Sequence, residues 1–93
     1  MVTVKFYTLL RLLLKIDKIE IDIEENENIG SMLKKIQNKI ETPFISKLLD
    51  DNDKLKTGTI ILLNGKNIYH LDKLDTKINN GDVIELFPPG GGG

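Results

Sequence analysis

The amino-acid sequence predicts an α+β domain: a sheet of four to five strands with one main helix packed across one face. Three observations lead there. Two runs near the start alternate apolar and polar residues with the period of a strand, and a middle stretch changes to the period of a helix. The last third then returns to short apolar runs separated by Asn-Gly and Gly-Asp turns. A chain of 93 residues has room for one compact domain and a single modest core.

The first run is Val2-Thr3-Val4-Lys5-Phe6-Tyr7-Thr8, with Val2, Val4 and Phe6 on one face and Thr3, Lys5 and Tyr7 on the other. The second is Ile19-Glu20-Ile21-Asp22-Ile23-Glu24, every isoleucine facing one way and every acid the other. That is the pattern of a half-buried antiparallel strand, so the two runs are expected to pair as a hairpin with a long connection. The connection holds Leu9-Leu10-Arg11-Leu12-Leu13-Leu14, too many leucines for one loop to bury. Two readings stand side by side: an exposed apolar contact patch, or a helical turn tucked under the core.

Ile29, Met32, Leu33, Ile36 and Ile40 then form one helical stripe, with Asn28 as its N-cap and Pro43 as its stop. Lys34, Lys35 and Lys39 are placed on the opposite, solvated face. Phe44, Leu48 and Leu49 suggest a short apolar helical turn before the acidic loop Asp50-Asp51-Asn52-Asp53. Thr59 to Leu63 reads as a strand, Asn64-Gly65 as a type I′ turn and Asn67-Ile68-Tyr69 as the return strand. Asn79-Asn80-Gly81-Asp82 is a second turn. The last strand is Val83 to Phe87, with Ile84 and Leu86 inward and Val83, Glu85 and Phe87 outward, ended by Pro88-Pro89.

Composition removes several functions. Thirteen Lys and Arg against 14 Asp and Glu give a net charge of -1, without the basic excess of a nucleic-acid binder. The chain has no cysteine and one histidine, His70, so disulfides, thiolate zinc sites, a cysteine nucleophile and a histidine-rich metal site are all excluded. Asp51-Asn52-Asp53 lacks the later ligand and glycine of a calcium loop, and Gly65-Lys66 lacks the rest of a phosphate loop. No apolar stretch approaches the ~20 residues of a membrane span or shows a signal-peptide cleavage site, so the chain reads as a soluble cytoplasmic protein.

The end of the chain, Pro88-Pro89-Gly90-Gly91-Gly92-Gly93, is the informative feature. Glycines without Cβ atoms read as a cord, and four of them reach at most ~13 to 14 Å beyond the prolines. Such an end suits threading through a channel too narrow for side chains, delivering its last carboxylate to a buried site. The same residues also read as a frayed terminus or linker. The prolines are expected to hold the cord away from the sheet.

Leu63-Asn64-Gly65, Ile78-Asn79-Asn80-Gly81-Asp82-Val83-Ile84 and Leu86-Phe87-Pro88-Pro89 with terminal glycines together resemble the MoaD/ThiS family. The opening strand with Arg11 shortly after it, and the helix from Asn28, extend the resemblance over nearly the whole chain. Gly90 and Gly91 stand where the family usually places non-glycine residues. The resemblance implies a ubiquitin-like β-grasp domain with a mixed sheet over residues 1–89 and a glycine tail over 90–93. It implies a sulfur carrier, most like the small subunit of molybdopterin synthase and not an enzyme on its own. An E1-like adenylating enzyme, consuming ATP, would adenylate the carboxylate of Gly93, and a sulfur donor would convert it to a thiocarboxylate. The tail (Pro88, Pro89, Gly90, Gly91 and Gly92) would thread into the large catalytic subunit, which passes the sulfur to a pterin precursor. No stably bound cofactor, metal, nucleic acid or membrane is implied.

A glycine cord offers no side-chain area, so the folded surface must hold the partner. The outward residues Lys5, Tyr7, Val83, Glu85 and Phe87 are the candidates, with Phe87 as the anchor beside the tail's root. Alternative readings are sulfur supply for thiamin or transfer RNA, a ubiquitin-like protein modifier using the same activation, and a plain β-grasp interaction module.

Overall fold

The computed structural model describes residues 1–90 and contains a five-stranded mixed sheet in the order β2-β1-β5-β3-β4. The strands are β1 (Val2–Phe6), β2 (Lys18–Ile21), β3 (Ile60–Leu63), β4 (Lys66–Asn67) and β5 (Val83–Phe87). Helix α1 (Thr8–Leu14) links β1 to β2, and helix α2 (Ile29–Lys39) follows β2. The first and last strands are parallel neighbours at the sheet centre, with Val4 opposite Ile84 and Phe6 opposite Leu86. This is the expected β-grasp layout.

The alternation of β1 and β5 is realised residue by residue. Val2, Val4, Phe6, Ile84 and Leu86 are buried beneath α2, which contributes Ile29, Met32, Leu33 and Ile36. Asn28 caps α2 as expected: its side-chain oxygen accepts from the Ser31 amide at 2.8 Å, and Ser31 Oγ accepts from the Asn28 amide at 3.2 Å. The helix stops before Pro43. Ile40 already has extended backbone, and Gln37 seals the exit. Its Nε2 donates to the carbonyls of Ile40 and Thr42 at 3.1 and 3.0 Å, and its Oε1 accepts from the Phe44 amide at 2.8 Å. Phe44 and Leu48 are thereby delivered into the core around a single 3₁₀ turn, Ile45–Lys47.

Four expectations change. The link between the first two strands is no plain hairpin loop but the helix α1, so both readings of the leucine run hold in part. Leu10 is fully buried, while Leu9, Leu12 and Leu13 are 51%, 72% and 38% exposed. Strand β2 ends at Ile21 rather than Glu24, because Val2, its partner there, is the first residue of β1. The return strand is only Lys66–Asn67: Asn67 Oδ1 accepts from the Tyr69 amide at 2.9 Å and turns the chain into a 3₁₀ turn that buries Ile68. Finally, Lys35 does not lie on the solvated face with Lys34 and Lys39. Its Nζ donates to Glu27 Oε1 at 2.7 Å and to the Asp22 carbonyl at 3.0 Å, strapping α2 to the loop before it.

The Glu27 side chain is only 7% exposed. Burial pushes its carboxyl pKa up, but hydrogen bonds from Lys35 Nζ and the Glu24 amide, with the Lys35 charge, outweigh this and leave it below its ordinary value. A depressed carboxyl stabilises the fold above the unfolded value of ~4.3, and that contribution disappears as pH falls through the folded value. Glu27→Gln should therefore cost about 1 kcal/mol at neutral pH. Urea titrations should show the gap to wild type closing below roughly pH 4.

Candidate functional site

The sequence places the chemistry after β5, and the structure shows how that end is mounted. Alternation continues past the strand: Ile84, Leu86 and then Pro88 are buried on the inner side. Pro88 is therefore part of the domain, not of a cord held clear of the sheet. Pro89 lies over Gly58, whose φ of +92° suits glycine, and a Cβ there would sit 3.4 Å from the Pro89 Cβ. Gly90 is exposed, with open space around it. Of the expected tail residues, Gly91, Gly92 and the reactive Gly93 lie outside the described residues.

The outer face of the sheet gathers the predicted contact residues. Lys5 stands opposite Glu85 across the β1–β5 pair, and Val83 opposite Thr3. Tyr7 continues β1 in extended backbone, its amide donating to the Leu86 carbonyl at 3.1 Å. Its ring stacks on Phe87 with centroids 4.4 Å apart and planes 13° apart, and its hydroxyl donates to Glu85 Oε2 at 2.6 Å. That hydrogen bond stabilises the protonated phenol, so it raises the Tyr7 pKa, with desolvation and the Glu85 charge adding to it. Phe87 is thus coupled to its neighbours on this face. It is half-buried and forms one apolar plate with Tyr7 at the tail's root, oriented through Glu85. Val83 is four residues back along β5, about 13 Å away at ~3.3 Å per residue, and lies off this plate.

Two residues of this face were missed by sequence reasoning. Ile60 is 43% exposed and sits opposite Phe87, while Leu62 sits opposite Glu85. The signal was strand alternation around buried Ile61, masked because Ile60-Ile61-Leu62-Leu63 reads as one apolar run.

The turn motifs prove structural. Asn64 and Gly65 both have positive φ, as a type I′ turn demands. Asn64 Nδ2 donates to Asp82 Oδ1 at 2.9 Å, Asn64 Oδ1 accepts from the Val83 amide at 2.9 Å, and Asp82 Oδ2 accepts from the Asn79 amide at 2.8 Å. These contacts pin the start of β5 at the end remote from the tail. Arg11 pairs with Asp17 at 2.8 Å in the open, and His70 is exposed beside Tyr69. Among the described residues, no group of three or more His, Cys, Asp or Glu side chains could hold a metal ion, and no helix is long and apolar enough to cross a membrane.

Comparison with known proteins bears on this geometry directly. The model of the ThiS family matches residues 4–93. Small archaeal modifier protein 3 of Haloferax volcanii is 27% identical over 71 residues, covering 76% of this chain and 75% of that protein. The solution structure of small archaeal modifier protein 1 from Methanosarcina acetivorans is 27% identical, with a TM-score of 0.78 over 99% of this chain and 95% of that one. The crystal structure of SAMP1 from Haloferax volcanii, at 22% identity, superposes with a TM-score of 0.82 over 99% and 98% of the two chains.

Proposed function

The chain belongs to the ThiS family of ubiquitin-like sulfur carriers, and on that premise we propose that it carries sulfur as a thiocarboxylate on Gly93 and donates it in molybdopterin assembly. One observation supports this above the rest: β5 is followed by a proline packed into the domain, and the glycines after it begin from an exposed position beside the Tyr7–Phe87 plate. A rigid mount and a slender end are what delivery of a terminal group into a partner's channel requires.

An ionised carboxylate is a poor electrophile, so it must be activated. In the proposed cycle a Gly93 carboxylate oxygen attacks the α-phosphorus of ATP on an E1-like enzyme. Pyrophosphate leaves and an acyl adenylate forms. A sulfide equivalent from the sulfur donor then displaces AMP, exchanging one oxygen for sulfur. The larger synthase subunit supplies the groups that move this sulfur to the pterin precursor, and hydrolysis restores the carboxylate. This chain contributes the reactive end and the docking face: Tyr7 and Phe87 as apolar contact, Lys5 and Glu85 as flanking charges.

The decisive test combines thiocarboxylated protein with the large synthase subunit and the pterin precursor. Formation of the dithiolene product supports the reading; an intact thiocarboxylate after prolonged incubation with an active subunit contradicts it. A second reading, a modifier joined to lysines of other proteins, is favoured by the likeness to small archaeal modifier protein 3. It would appear as isopeptide-linked adducts containing the Gly92-Gly93 remnant. In either cycle Phe87→Ala should raise the KM for activation about tenfold, as loss of an aromatic contact worth ~1.4 kcal/mol does. An unchanged KM would remove the plate from the docking face.

A further inference from the structure

We propose that the groove beside α1 is a second docking surface, distinct from the sheet face, which receives an acidic amphipathic helix of the enzyme that activates the tail. Leu9, Leu12 and Leu13 stand at i, i+3 and i+4 on α1, so they form one continuous ridge. Their exposure of 51%, 72% and 38%, against a fully buried Leu10, shows that the core uses only one side of this helix. Scattered exposed leucines are ordinary, whereas an aligned ridge bordering a groove marks a contact. The groove holds about 680 Å³ and is completed by Lys47, Lys56, Pro88, Pro89 and Gly90.

Its chemistry selects the occupant. Among the described residues, the ionisable side chains in the lining are Lys47 and Lys56, both cationic, in a protein whose net charge is -1. An apolar ridge flanked by fixed positive charge complements a helix with an apolar stripe bordered by Asp or Glu. A second copy of this chain fits poorly, because a two-fold contact at the groove would bring the lysines of both copies together. Gly90 lines the same groove, so whatever fills it sits against the root of the tail. The occupant is therefore assigned to the partner that handles the tail. This inference rests on the sulfur-carrier reading and adds to it the surface and charge character of the activating complex.

The test is ATP–pyrophosphate exchange by the cognate adenylating enzyme, measured against increasing concentrations of the carrier. Leu12→Glu should raise KM at least tenfold with little change in kcat, and the uncharged Leu12→Ser by a smaller factor. A Lys47→Glu, Lys56→Glu double variant should also raise KM and weaken its dependence on salt. Lys39→Glu, on the exposed back of α2, should behave as wild type. Thermal melts matching wild type establish that the variants fold. Exchange with wild-type KM for both Leu12→Glu and the lysine double variant overturns this inference and leaves the sulfur-carrier reading standing. So does a wild-type dimer in sedimentation equilibrium, or binding to phosphatidylglycerol vesicles, that Leu12→Glu abolishes. No exchange with wild-type protein and a demonstrably active enzyme overturns both.

Discussion

Gly92→Trp should reduce thiocarboxylation by roughly 100-fold or more while leaving the melting temperature unchanged. The two effects separate because the tail and the domain do different work. The root of the tail is packed: the inward series of β5, Ile84 and Leu86, continues into buried Pro88, and Pro89 rests on the turn at Gly58. Gly90 has no neighbour within reach of an added Cβ, so the described chain leaves the core before the substituted position. An indole two residues past Gly90 would widen the end that must enter a partner's active site. Displacing a reacting group by only about 1 Å can cost on the order of 100-fold in rate. The comparison is made by intact mass after a timed reaction, alongside a thermal melt. A variant activated as fast as wild type would mean that the channel tolerates side chains and that the glycines serve another purpose.

Phe44→Ala should destabilise the domain by about 3 to 5 kcal/mol, the usual cost of removing a buried aromatic ring and leaving a cavity. Phe44 is fully buried and meets Phe6 edge-to-face, with ring centroids 6.0 Å apart and planes at 85°. Phe6 belongs to the central strand β1, whereas Phe44 belongs to the irregular segment after α2, so the contact ties the least regular part of the chain to the sheet. A domain of this length has a total stability of about 5 to 14 kcal/mol, so roughly a fifth or more would be lost. The melting temperature should fall by on the order of 15 to 30 °C. Urea unfolding at 25 °C checks the magnitude. A loss below about 1 kcal/mol would show that the segment around Phe44 relaxes into the space and is not an integral part of the core.

What could be read from the chain alone divides along physical lines. Strands with one wet face announce themselves, and Val2, Val4, Phe6, Ile84 and Leu86 are all inward as their alternation requires. Caps are similarly local, so Asn28 begins α2 as expected. The leucine run from Leu9 to Leu14 was illegible for the opposite reason: with apolar residues at nearly every position, no period distinguishes helix from loop. Only the sheet shows that Leu10 turns inward. Pro88 reads as the start of the exit because proline ends a ladder, yet its side chain still obeys the alternation of β5. Tertiary pairing decided the rest. Lys35 leaves the solvated face for Glu27, a partner outside its own helix, and Asn67 ends β4 by capping the turn that buries Ile68. At the candidate site the outward direction of Tyr7, Glu85 and Phe87 follows from strand alternation, but their coupling does not. Stacking of Tyr7 on Phe87 and its hydrogen bond to Glu85 join residues nearly eighty positions apart, a relation no local pattern contains.

Intact-mass spectrometry of the wild-type chain, after incubation with ATP, its cognate adenylating enzyme and a sulfur donor, asks whether this protein carries sulfur at its last residue. The expected spectrum shows a gain equal to one oxygen replaced by one sulfur, localised by fragmentation to Gly93 and absent when ATP is withheld. An unchanged mass in the presence of an enzyme that demonstrably activates another carrier, or a sulfur adduct localised anywhere but Gly93, would contradict it.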